Sequence, residues 1–269
     1  MRLPSLLIEY DAFTKTRNRL ETTGILDLSN LEIFTPGIVL PIAITIEQKR
    51  ITSYVPPKDK QWARFFEGII SGSNSGRSEP DQRWPLIELP KNKHQSGPQI
   101  DRLFELGGDI GGKNAFRYLV GELTDNIYDH SGFQHAMVMA QRQNEHKRLR
   151  LGFADDGMTI AGSLRNVGME IEDDVEAIEM AVNGLSSKDE NERGKGLGSN
   201  IKMITEGYGG EIIIVSGKGM IIYRFDAVRK KVNWEEYPLS TWRMFPGTLL
   251  SISVPMIKKE IDVYAFVSV

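Results

Sequence analysis

EIIIVSGKGMIIYRF, residues 211–225, holds two apolar, β-branched runs separated by Gly217 and Lys218. Two such runs around a short glycine-containing turn predict paired antiparallel strands, at 211–216 and 219–225. TLLSISV at 248–254 adds a third strand after a longer loop, which makes an antiparallel meander. Working outward, further strands are expected at 135–141 and 149–154. Helices are expected at 99–106, 114–130, 172–183 and 196–206. Helices set among such strands predict an α+β fold, a two-layer sandwich with helices on one face of a mixed sheet.

The stretch SGSNSGRSEPDQRWPLIELPKNKHQSGP at 71–98 interrupts this pattern. Rich in Ser, Gly, Pro and Asn, it buries little apolar surface and reads as a connection, with one short strand hinted near 88–90. It divides the chain into an N-terminal unit, 1–95, and a C-terminal domain, 96–269. In the N-terminal unit a strand is expected at Ile25–Leu28, a helix at 38–50, a strand in KRITSYVPP and an amphipathic helix in DKQWARFFEGII. That order predicts a small α/β module.

Bulk composition excludes several function classes. The 269 residues are 40% hydrophobic, enough for a sizeable core, and the net charge of −3 offers no general attraction to nucleic acid. With no cysteine there are no disulfides, thiolate metal sites or cysteine nucleophiles. Four histidines without an HExxH spacing give no case for zinc. The N-terminal MRLPSLLIEYDAF lacks a signal-peptide core, and no apolar run approaches the roughly 20 residues of a membrane span. A cytoplasmic protein with no membrane or nucleic-acid partner is expected.

Three segments carry chemistry. In NAFRYLVGELTDNIYDH (114–130), Phe116, Leu119, Val120, Leu123 and Ile127 share a core-facing side, while Glu122, Asn126, Asp129 and His130 form an adjoining polar stripe. A carboxylate and an amide one turn apart suit Mg²⁺ that shares phosphate oxygens. In LGFADDGMTI (151–160) a buried strand ends in Asp155-Asp156-Gly157. A carboxylate there either stabilises a tight turn or accepts a hydrogen bond from an adenine amine. In GLSSKDENERGKGLGSNIKMI (184–204), Gly194, Gly196 and Gly198 precede a helix, a place where backbone N–H groups meet phosphate. GGDIGGKN at 107–114 is a P-loop decoy, because Asn114 replaces the Mg²⁺-binding Ser or Thr and a helix precedes it.

Taken in order, these motifs resemble those of the GHKL (histidine-kinase-like, Bergerat-fold) ATPases. ELTDNIYDH is similar to the N box, ADDGMTI to the first glycine box, RGKGLG to the lid-end glycine box and PGTLLSISVP (246–255) to the final strand. The resemblance covers roughly 100–256 and implies ATP and Mg²⁺ as cofactors. It assigns Asn126 to the metal and Glu122 to a general-base or water-polarising role. Asp155 would take the adenine amine, Gly157 would let the base lie close, and Thr248 would support it. Asp129, His130 and Thr159 would complete the site. Lys188, Lys195 and the Gly196-Leu197-Gly198 backbone would approach the phosphates. Thr159 departs from the pattern, since the family has a second glycine there, which bears on loop shape more than on the adenine contact.

The Glu122/Asn126/His130 form is nearest to the anti-sigma serine kinases. LDLSNLEIFTPG (26–37) resembles, more weakly, the STAS domains of anti-sigma antagonists. There Pro36 stands in place of a phosphorylatable serine and Thr35 in place of the preceding aspartate, so the phosphoswitch is lost. The resemblance implies an ATP-binding regulatory protein, an ATPase or protein serine kinase, whose lid at 161–198 orders on nucleotide and alters a protein-partner surface. The oligomeric state is left open, a homodimer included. The alternative is a non-catalytic, nucleotide-dependent interaction module, which Thr159 favours.

Overall fold

The computed structural model describes residues 5–72, 86–107, 110–185, 196–226 and 228–267. The described helices are α1 (Ser5–Thr23), α2 (Pro36–Lys49), α3 (Lys60–Ile70), α4 (Gly97–Gly107), α5 (Lys113–His130), α6 (Ile160–Asn166), α7 (Asp174–Val182), α8 (Gly196–Lys202) and α9 (Tyr264–Val267). The strands are β1 (Leu26–Asp27), β2 (Tyr54–Val55), β3 (Leu86–Glu88), β4 (Ala136–Gln143), β5 (Arg148–Asp155), β6 (Glu211–Gly217), β7 (Gly219–Asp226), β8 (Lys231–Pro238) and β9 (Phe245–Pro255). Strands β3 to β9 form one seven-stranded sheet in the order β3-β4-β5-β9-β6-β7-β8, with every described pairing antiparallel. Only β1 and β2 pair parallel, in a separate two-stranded sheet. The fold is therefore α+β, but its main sheet is antiparallel rather than mixed.

Helices cover both faces of that sheet, so the expected two-layer arrangement becomes three layers. Alternate residues of one strand enter different cores, as a period of two requires. Ala136, Val138, Ala140, Ile212 and Ile214 face the layer of α4, α5, α7 and α8. Met137, Met139, Ile213, Val215, Met220 and Ile222 face α1, α2 and α3. Residues of the expected N-terminal module thus form the back layer, and Leu86–Glu88 is the sheet's edge strand.

α2 is the centre of that back layer. Its residues from Pro36 to Ile46 are all buried, which fits a helix that is apolar all round. Pro36 opens it where a missing N–H costs nothing. The helix lies so close to β5 that a Cβ on Gly152 would come within 2.6 Å of the Leu40 side chain and 2.7 Å of Pro36. α1 buries Leu6, Tyr10, Phe13 and Leu20 at helical spacing. The Tyr10 hydroxyl donates to the Arg243 carbonyl at 2.6 Å, fastening the turn that leads into β9.

A polar contact ties this layer to the sheet. Glu9, on α1, pairs with Arg150 of β5 at 3.2 Å and accepts from the Thr35 hydroxyl at 2.7 Å. Burial pushes the Glu9 carboxyl above the usual range, while Arg150 and the Thr35 hydroxyl pull it back. The stretch 161–198, expected as a lid, is built up to residue 185 as α6 and α7, which pack Ala161, Leu164 and Ala177 together. Among the described residues no helix is long and apolar enough to cross a membrane.

Glu9→Ala leaves the Arg150 guanidinium buried without its carboxylate, and removing one partner of such a pair is strongly destabilising. Urea unfolding is expected to show a loss of about 3 kcal/mol. A loss within about 0.5 kcal/mol, as for an ordinary surface position, would contradict the assignment.

Candidate functional site

One cavity of about 140 Å³ opens between α5, the ends of β5 and β9, and the starts of α6 and α8. Glu122, Asn126 and His130 reach it from α5 because a spacing of four returns each side chain to the same helix face. Asp155 and Thr248 stand opposite each other at the paired ends of β5 and β9, and both line it. Thr159, Gly196 and Leu197 also line it. Its apolar walls include Leu123, Ile127, Phe153, Ile160, Leu164 and Leu250.

The two polar ends differ in character. At one end, Gly196 lies against α5: a Cβ there would meet Glu122 Oε2 at 3.2 Å and the Asn126 amide at 3.7 Å. At the other, Asp155 is 2% exposed and accepts from the Gly157 N–H at 2.9 Å, while the Ser131 hydroxyl donates to the Ile127 carbonyl at 2.8 Å. Its carboxyl is pushed up to about 7, chiefly by burial; the Gly157 N–H lowers it, the Asp156 charge raises it and Ser131 lowers it. From Glu122 to His130 the helix rises about 12 Å at 1.5 Å per residue.

Neighbouring groups hold this geometry. The Asp156 carboxylate accepts from the Gln134 and His135 N–H groups at 2.8 and 2.7 Å. The Met158 N–H donates to the Ser131 carbonyl at 2.7 Å. Ser216, at the end of β6, bonds Thr248 Oγ1 at 3.0 Å and accepts from the Ile160 N–H at 2.8 Å. Ser131 and Ser216 were not singled out from the sequence. The signal for Ser216 is a polar residue closing the apolar run EIIIVS, and for Ser131 a hydroxyl directly after the His130 stripe.

Several expected site residues stand elsewhere. Asp129 lies outside the cavity, 3.7 Å from Lys93, which also pairs with Asp125 at 3.0 Å. Gly157 does not line the cavity either. A Cβ there would fall 2.1 Å from the Ser131 carbonyl, so the glycine serves the docking of the β5–α6 loop on the end of α5. A Cβ on Gly198 would fall 2.4 Å from the Val182 carbonyl, which makes that glycine a packing requirement between α8 and the end of α7. Thr159 caps α6 by accepting the Gly162 N–H at 3.0 Å, which accounts for a side chain where a glycine was expected. Lys188 and Lys195 lie outside the described residues.

Comparison with known proteins leaves this geometry to speak alone. No family model, curated protein or solved structure matches the chain.

The site presents a buried acceptor at one end and an amide with a carboxylate at the other. Among the described residues no group of three His, Cys, Asp or Glu side chains forms a cage for a metal. One amide and one carboxylate are a donor set for a hard cation that brings other oxygens with it, as Mg²⁺ on phosphates does.

Asp155 makes stability depend on pH with a definite sign. Its folded-state value is raised, so the folded protein holds this proton over a range where the unfolded chain has lost it, and stability falls as pH rises from about 4 toward 7. Asp155→Asn keeps an acceptor for Gly157 and has no charge to bury. Its melting temperature should gain on wild type between pH 5 and pH 8; a gap that does not change with pH would contradict burial as the cause.

Proposed function

We propose that this chain is an ATP- and Mg²⁺-binding regulatory protein of the histidine-kinase-like ATPase type. The observation that carries the reading is a single cavity lined by Asn126 and Glu122 near one end and by Asp155 and Thr248 near the other. A carboxyl oxygen of Asp155 accepts the exocyclic amine of adenine, and the apolar walls cover the base. Buried acceptors of this kind reject a base that offers no matching donor.

At the other end, the Asn126 amide oxygen would hold the metal, and the backbone at Gly196 would approach the phosphates. Mg²⁺ bound there would neutralise charge on the phosphate oxygens. Glu122 is placed to take a proton from a water or a hydroxyl brought to that end. Transfer of the terminal phosphoryl group to water or to a protein serine is compatible with this arrangement. A change in how α6 and α7 sit when nucleotide binds would change the surface offered to a protein partner.

Calorimetry separates these roles. ATP with Mg²⁺ is expected to bind more tightly than GTP with Mg²⁺. Asn126→Ala should lose the Mg²⁺-dependent part of the affinity, and ATP in EDTA should bind wild type and variant alike. Equal affinities for ATP and GTP would remove the adenine assignment. Glu122→Ala should retain binding and lose turnover by about 10²–10⁴-fold; unchanged turnover would take Glu122 out of the general-base role.

A further inference from the structure

Asn200 lies in α8, one turn beyond Gly196 and on the same helical face, since i and i+4 are neighbours. It is 0% exposed, and neither its amide nitrogen nor its amide oxygen has a hydrogen-bond partner. No other described side chain carries two such buried polar atoms. A buried polar group left unpaired is costly and calls for a reason. The face it shares with Gly196 is the one that meets the polar groups of α5, Glu122 and Asn126.

The next segment departs from α geometry. Residues Met203–Gly207 form a π turn, closed by a bond from the Tyr208 N–H to the Met203 carbonyl at 2.9 Å. The Thr205 hydroxyl donates to the Ile201 carbonyl at 2.7 Å, supporting the helix where its ladder widens. A π turn carries one residue more than an α turn, so it is a place where the helix ladder can absorb a small shift of what precedes it.

We propose that Asn200 is a positioning residue for the nucleotide site: when nucleotide binds, α8 shifts on the π turn and the Asn200 amide pairs with the polar stripe of α5. This inference rests on the nucleotide reading and adds the regulation of the same site. The unpaired amide raises the free energy of the nucleotide-free form, and pairing in the bound form removes that cost. The difference between the two forms is what a ligand needs in order to shift a helix. Glu122 and Asn126 are then held from a second helix, at the end of the cavity where the metal and phosphates are read.

The test uses full-length protein, wild type and Asn200→Leu, an apolar replacement of similar shape. Without ligand the variant should melt higher by about 2–4 °C, as expected for roughly 1 kcal/mol in a protein of this size. Its affinity for ATP with Mg²⁺ should fall about tenfold. Unchanged affinity in the variant, with wild type binding normally, overturns the inference alone. No ATP binding by wild type overturns the nucleotide reading and this inference with it.

A second measurement needs no variant. In selectively ¹⁵N-Asn-labelled wild type, the assigned Asn200 side-chain NH₂ pair should shift and exchange more slowly with solvent when ATP and Mg²⁺ are added. A pair that does neither while other resonances of α5 and α8 respond would overturn the proposal.

Discussion

The tip of β5 is bonded onto the C-terminal end of α5, and the cavity exists because of that fastening. The Met158 N–H reaches the Ser131 carbonyl, and Asp156 holds the Gln134 and His135 N–H groups. Gly157 permits the approach, because any side chain there would collide with Ser131. With strand tip and helix end joined, a polar stripe on α5 and a carboxylate on β5 must open into the same space. Asp155 then sits among groups that both stabilise and oppose its charge, and burial wins.

The sheet supplies the rigidity behind this joint. Thr248 reaches the cavity because β9 pairs with β5 in a register that puts it across from Asp155. Ser216, on the other neighbour of β9, bonds Thr248 and also receives the first N–H of α6. Three elements therefore converge through two hydroxyl groups. On the far side, α2 presses against β5 and β4, and the Glu9–Arg150 pair links α1 to the same strand. The strand that carries Asp155 is held on both faces.

Much of this is legible in the sequence, for a physical reason. Helix periodicity in 114–130 and apolar runs at 149–154, 211–216, 219–225 and 248–254 are local signals, and each has its element in the structure. The polar stripe Glu122, Asn126, His130 follows directly from that periodicity. The layering is a non-local property and was misread. Yet Ile212 to Val215 are apolar at four consecutive positions, and a strand wetted on one face has no use for that. α1 repeats apolar residues at 6, 10, 13 and 20, a helical spacing diluted by the charged and polar residues between them. β8 mixes polar and apolar residues at a sheet edge and gives no strong run. The glycines were the least legible residues. Gly157, Gly196 and Gly198 look alike in sequence, but only Gly196 lines the cavity, while the other two make room for carbonyl groups of neighbouring elements.

The central claim is that one nucleotide spans the space between Asn126 and Asp155. The most direct measurement is a crystal structure of the full chain with a non-hydrolysable ATP analogue and Mg²⁺. The account predicts the adenine amine within hydrogen-bond distance of the Asp155 carboxylate and the metal bound to the Asn126 amide oxygen. A nucleotide seated elsewhere, or one whose base points away from Asp155, would contradict it.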